Sequence, residues 1–303
     1  MPESGMREKT FREALFNGTM DMEGMDTVLD LYRELYSGRT SPRGEAGMRT
    51  PDAGEVTMRL EGGFTILDPA DLLPDLRNLA ARSEKVSRIL ARHSEAPDSV
   101  AQAMDRILSD PSAFLDLARA ALIPSEESSR AAGDASADQE GEIVDFIIFN
   151  AAKDLFLNAA FRFSHVDTEK WDRGCCPICG GGPAVGYLLG EGGKRHLICH
   201  RCEAHWRFRR LSCPYCGKEN PGDSRYVYLE DPRYKGMRGQ VCDGCKCFIK
   251  TWRVEDEDLG GFHPEVEDLK TPAFDAVLEG EGFSRGAPNI FGVRLGRGIR
   301  QGQ

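Results

Sequence analysis

The chain has 303 residues, of which 40% are hydrophobic and 29% charged, and its formal net charge is −10. Such a chain can bury a sizeable core, which excludes a disordered protein, and its length suits two or three domains. The acidic balance argues against a dedicated nucleic-acid or membrane-surface binder at the level of the whole chain.

Residues 1–24 show no clear hydrophobic period and are expected to fray. Val28, Leu31, Tyr32 and Leu35 follow i, i+3, i+4, i+7 spacing and predict a helix that stops near Gly38. Residues 38–55, rich in Gly, Pro and small polar residues, read as a loop. Asp68 followed by Pro69 is a helix-start signal. After it, Leu72, Leu73, Leu76, Leu79, Val86, Ile89 and Leu90 line one stripe, with a bend expected at Pro74. A further helix over 97–108 carries Val100, Met104, Ile107 and Leu108. Asp110-Pro111 repeats the start signal ahead of Phe114, Leu115, Ala118, Ala121 and Leu122. Residues 124–140 form a polar connection, and helix returns over about 143–163. The prediction for 1–165 is therefore an all-α domain of amphipathic helices packed as a bundle. It holds no phosphate-binding glycine loop, and His93 and His165 stand apart from other chemistry-bearing residues.

The opening stretch MPESGMREKT has no apolar core of the signal-peptide kind. The most apolar run, 143–163, is interrupted by Asp145, Asn150, Lys153, Asp154 and Arg162, which is too polar for a bilayer span. The expectation is a cytoplasmic protein with reduced thiols and no membrane partner.

Composition changes at Trp171. All ten cysteines lie between Cys175 and Cys247, and eight of them form four Cys-x-x-Cys pairs: Cys176/Cys179, Cys199/Cys202, Cys213/Cys216 and Cys242/Cys245. Clustering of this kind inside a long chain points to metal rather than to a disulfide framework. Two intervening residues let a tight turn set both thiolates on one edge of a tetrahedral ion, with metal–sulfur bonds of about 2.3 Å. In the first and third pairs the sequence is Cys-Pro-x-Cys-Gly. Proline fixes φ inside this knuckle, and glycine permits the positive φ that turns N–H groups toward sulfur. Each half of the region runs knuckle, β-like stretch (187–189 or 226–229), second knuckle, then aromatic residues, Trp206 or Phe248 and Trp252. This repeat favours sequential pairing, with Cys176, Cys179, Cys199 and Cys202 at site one. Site two then takes Cys213, Cys216, Cys242 and Cys245. A crossed pairing of the first knuckle with the third is the alternative.

The predicted fold class is α+β: the helical domain, then tandem rubredoxin-like or zinc-ribbon modules over 171–253 (171–210 and 211–253). An acidic tail with a short helix, capped by Thr271-Pro272 and carrying Phe274, Val277 and Leu278, fills 254–303. Cys175 and Cys247 are left over, as ordinary thiols beside the sites or as reactive ones whose pKa the metal lowers. His200 and His205 are not needed as ligands, because four cysteines already fill each site. Segment 171–253 holds fifteen Lys and Arg against eight Asp and Glu, a formal +7, which leaves −17 for the remainder. Eight thiolates and two divalent ions bring the loaded segment to about +3. The cluster Arg207, Arg209 and Arg210 is then better explained by anionic centres or acidic side chains nearby than by nucleic acid. Two all-cysteine sites are closed to substrate, so no catalytic residue is expected. A tetrathiolate accepts iron, which carries an electron, or zinc, which does not. An electron carrier and a nucleic-acid-associated zinc ribbon are the alternative functions.

Several stretches resemble the FdhE family of formate dehydrogenase accessory proteins. They are Cys176-Pro177-Ile178-Cys179-Gly180, residues 197–206 (LICHRCEAHW), Cys213-Pro214-Tyr215-Cys216-Gly217, residues 242–250 (CDGCKCFIK) and residues 282–289 (GFSRGAPN). The resemblance covers about 143–292, roughly half of the chain. It implies a helical N-terminal domain, tandem rubredoxin-like sites for iron or zinc, and a cytoplasmic maturation factor that binds the formate dehydrogenase catalytic subunit. A homodimer is compatible with it. Phe248 departs from the family's usual tyrosine, Ala204-His205 from an acidic residue before the tryptophan, and Pro272 from a more continuous helix.

Overall fold

The computed structural model describes residues 26–37, 50–68, 76–122, 139–219, 222, 224–255 and 262–293. They fall into two compact units. One lies within Asp21–Ser164 and includes Ile178–Gly180; the other runs through His165–Pro177 and the described residues from Gly181 onward. The expectations for 1–24, 38–49, Leu72, Leu73, Pro74, the connection 124–138, Asp256 to Asp258 and the tail end after 293 lie outside the described residues.

The first unit is helical: α1 Asp26–Ser37, α2 Ala53–Glu61, α3 Leu76–Arg92, α4 Pro97–Leu108, α5 Pro111–Leu122 and α6 Gln139–Arg162. The expected stripes face inward, with Tyr32, Leu35, Leu79, Val86, Ile89, Val100, Met104, Ile107, Phe114 and Ala118 all buried. Helix α6 differs in kind, because Ile147, Ile148, Phe149, Asn150, Ala152 and Lys153 bury its middle all round. A helix buried on every side is the centre of its bundle, and α3, α4 and α5 all pack on it. Helix α5 starts as its sequence dictates: Asp110 Oδ1 accepts the backbone N–H groups of Ser112 and Ala113 at 2.9 and 3.1 Å. Helix α2 corrects the loop expected over 38–55. Asp52 Oδ1 accepts the Glu55 N–H at 2.8 Å, and this cap starts a helix within a stretch whose small residues read as loop. Among the described residues no helix is long and apolar enough to cross a membrane.

The second unit is built on seven strands: β1 Pro183–Leu189, β2 Lys194–Cys199, β3 His205–Arg207, β4 Ser224–Val227, β5 Met237–Cys242, β6 Cys247–Val254 and β7 Ser284–Arg285. Strands β1–β3 and β4–β6 are two antiparallel ribbons, each strand pairing with the next. The β-like stretch 226–229 is shorter than expected, since β4 ends at Val227 and Tyr228 is exposed. The ribbons are tandem zinc-ribbon-like modules, yet they do not stand apart. β1 pairs in parallel with β6 from Gly186↔Thr251 to Leu189↔Val254, which gives one sheet in the order β3-β2-β1-β6-β5-β4. β7 joins the start of β6, also in parallel.

After β6 come α7, Pro264–Leu269, and α8, Pro272–Gly280. Thr271 does not cap α8 through its side chain, contrary to expectation. Its hydroxyl donates to the Glu267 carbonyl at 3.0 Å and accepts from Lys250 Nζ at 3.0 Å. Lys250 is fully buried on β6. Its ammonium reaches Asp268 Oδ1 at 2.7 Å and Asp275 Oδ2 at 2.6 Å. Arg285 on β7 completes the group, with Nε 2.6 Å from Asp275 Oδ1 and NH2 on Asp268 Oδ1. Two cations and two carboxylates thus neutralise one another in a dry core and bind α7, α8 and β7 to the sheet. Burial alone would raise the Asp268 pKa; Arg285 and Lys250 outweigh it and hold the carboxyl below its usual range.

Breaking a buried ion pair from one side leaves an uncompensated charge. Lys250→Met should therefore cost about 3–5 kcal/mol, read as a lower urea midpoint at unchanged slope. Because the Asp268 pKa is lowered on folding, its contribution is complete above the ordinary carboxylate range of about 4 and is lost as pH falls through the folded value. Asp268→Asn should flatten that acid limb of the stability–pH curve.

Candidate metal centres

Each knuckle is fixed by its own backbone. The Cys176 N–H donates to the Gly181 carbonyl at 2.8 Å, Cys199 to Ala204 at 3.0 Å and Cys213 to Lys218 at 2.9 Å. Cys242 and Cys247 are register partners in the β5–β6 hairpin. The same five-residue bracket therefore recurs four times. In all four the residue after the second cysteine has positive φ: Gly180 at 74°, Glu203 at 56°, Gly217 at 71° and Lys246 at 55°. Glycine adopts this conformation without strain, so two knuckles carry the expected residue there. The other two hold Glu203 and Lys246 in it, which their sequence does not signal.

The turns bring the eight candidate ligands together in the sequential arrangement. The sulfurs of Cys176, Cys179, Cys199 and Cys202 lie within 4.8 Å of one another, and so do those of Cys213, Cys216, Cys242 and Cys245. Contacts inside the groups are 3.5 Å for Cys176–Cys202, 3.7 Å for Cys213–Cys245 and 3.7 Å for Cys216–Cys242. A tetrahedron with metal–sulfur bonds of about 2.3 Å has sulfur–sulfur edges of about 3.8 Å, so both groups are able to hold a metal ion. Without a cation Cys213 resists ionisation: the hydrogen bond with Cys245, and then burial, push its thiol well above the ordinary range. Loading must therefore release protons.

The two sites differ in access. All four cysteines of site one are buried, whereas at site two Cys216 is exposed and Cys245 half-buried. Site one is also tight against its frame, since a Cβ on Gly181 would come 2.8 Å from Cys199 Sγ.

The remaining candidates sort plainly. His200 Nδ1 donates to the Gly182 carbonyl at 2.8 Å, and His205 Nδ1 hydrogen-bonds the Tyr187 hydroxyl at 3.0 Å, so neither ring belongs to a sulfur group. Cys175 and Cys247 are half-buried outside both tetrads. Arg209 Nε is 2.8 Å from Asp172 Oδ1, and its NH1 pairs with Glu219, so acidic side chains take the middle of the arginine cluster. Sequence reasoning missed Arg195. It is 2% exposed, its NH1 donates to the Ser212 carbonyl at 2.9 Å, and its guanidinium lies 5.7 Å from the Phe208 ring centre. Burial lowers its pKa to about 10, which leaves it cationic at neutral pH, within the electrostatic reach of Cys213. A positive charge there suits a tetrathiolate centre of net charge −2.

No family model matches the chain. An FdhE homolog from Pseudomonas putida is 36% identical over 122 residues, which cover 38% of this chain and 37% of that protein. One from Stutzerimonas stutzeri is 30% identical over 129 residues (40% and 39%), and one from Aquifex aeolicus 28% over 134 residues (43% and 45%). These alignments span less than half the length of the relatives. The crystal structure of the FdhE protein from Pseudomonas aeruginosa has the same fold, with a TM-score of 0.54 at 19% identity over 97% of this chain and 95% of that one.

Exposure should order metal loss. Under a chelator the loaded protein should release its ions in two phases, site two first. Gly181→Val should weaken retention at site one alone, by about tenfold to a hundredfold, as read by metal analysis of each phase.

Proposed function

We propose that this chain, a member of the FdhE family, is a non-enzymatic accessory protein that binds the catalytic subunit of formate dehydrogenase during its maturation in the cytoplasm. The observation that carries the reading is closure: each metal site is completed by four cysteine sulfurs of the chain itself. A catalytic metal keeps a position free for water or substrate, and these sites have none to offer. The ions would be held by Cys176, Cys179, Cys199 and Cys202, and by Cys213, Cys216, Cys242 and Cys245. Zinc there would supply rigidity alone, and iron would add a response to redox state. In either case the knuckles become fixed platforms at the end of a shared sheet, suited to presenting a surface rather than to turning over a substrate.

Nucleic acid is the weaker reading, because Arg209 is already paired with Asp172 and Glu219.

Deleting the gene should abolish formate oxidation while leaving the level of catalytic-subunit transcript unchanged. The purified chain should capture that subunit, and Cys179→Ser, which empties site one, should weaken capture. Normal formate oxidation in the deletion strain would reject the reading.

A further inference from the structure

The four knuckles share one equivalent position, the residue five after the first cysteine: Gly181, Ala204, Lys218 and Cys247. At Gly181 a Cβ would point at Cys199 Sγ, 2.8 Å away. The Lys218 side chain lies against knuckle four, where a Cβ on Gly244 would meet its Nζ at 2.7 Å. At site one the position holds nothing larger than a methyl group. At site two it holds a thiol.

Two observations put that thiol beside the metal centre. Cys247 is the register partner of Cys242, so its Cβ emerges on the same face of the hairpin as that of Cys242. Its thiol donates to the Cys245 carbonyl at 3.5 Å. Cys245 and Cys216 are the ligands of site two that solvent reaches, so the thiol stands on the open side of the cluster.

We propose that Cys247 is a fifth sulfur of site two that replaces Cys245 on a bound thiophilic divalent cation, making site two a metal-exchanging centre. One metal–sulfur bond breaks and one forms, and the Cys247 proton passes to the departing Cys245 thiolate, so the charge of the centre is unchanged. Site one has no such sulfur, since Ala204 holds the equivalent place, and its ion stays put. The inference rests on the metal reading of the tetrathiolates but not on the formate dehydrogenase reading.

The test loads the full chain with cobalt(II) under anaerobic, reducing conditions and follows stoichiometry and the sulfur-to-cobalt charge-transfer band. Cys245→Ser should still bind about two ions per chain, whereas Cys202→Ser, its counterpart at site one, should bind about one. The double variant Cys245→Ser/Cys247→Ser should also fall to about one, with site one loaded and far-UV circular dichroism intact as proof of folding. Cys247→Ser should bind two ions and release the second to a chelator several-fold more slowly than the unaltered chain. Loss of the site-two ion in Cys245→Ser alone, or its retention in the double variant, would overturn the role of Cys247. Failure of the unaltered chain to take up two ions would overturn the metal reading with it.

Discussion

Four sulfur atoms held within 4.8 Å of one another are a demand that the polypeptide cannot satisfy by itself. As thiolates they repel, and as thiols they are crowded weak donors. A divalent cation resolves the conflict, because its charge offsets two of the four negative charges and its radius sets the sulfur spacing. The backbone is arranged in advance for that ion. Every knuckle is bracketed before any metal–sulfur bond is considered, and two of the four hold a non-glycine residue at positive φ to achieve it.

The sheet carries this local constraint outward. A single ribbon has few strands and two unpaired edges. Joining β1 to β6 in parallel removes one edge from each ribbon, and β7 covers the rest of the β6 edge beyond β1. The chain beyond the ribbons is fastened by charge as well as by apolar packing. Lys250, Asp268, Asp275 and Arg285 sit almost wholly out of water, and each carboxylate touches both cations. Such a tetrad tolerates burial only because it is complete.

What the sequence made legible was whatever depends on near neighbours. Helical stripes, the Asp110 cap, the four Cys-x-x-Cys turns and the sequential pairing implied by their repeat all rest on spacings of a few residues. Features that depend on distant partners had no such signature. Nothing in 183–189 or 247–254 announces that the two strands pair in parallel. Lys250, read alone, is a charge in a strand; only Asp268 and Asp275, supplied by helices after the ribbons, allow it to be buried. Arg195 is hidden in the same way, since its neighbours Ser212 and Phe208 come from beyond β2. Helix α2 is a different failure. Its Asp52–Glu55 start was present in the sequence, but the weight of glycine and small polar residues around it read as loop.

The two centres arise from one repeated plan and end with different characters, and the difference is traceable to single positions. At Gly181 site one has no room for an extra group, and its four sulfurs are dry. Lys218 and Cys247 occupy the matching places at site two, where Cys216 meets solvent. A buried arginine stands near the open centre, within reach of Cys213, and its charge has no carboxylate partner among the described ion pairs. A cation so placed favours the loaded, negatively charged form of site two over the emptied one. The open centre thus gains from electrostatics part of what it gives up in burial. It can keep an ion at neutral pH and still exchange it, whereas the closed centre is held by a buried frame in which the Arg201 N–H donates to Cys199 Sγ at 3.4 Å.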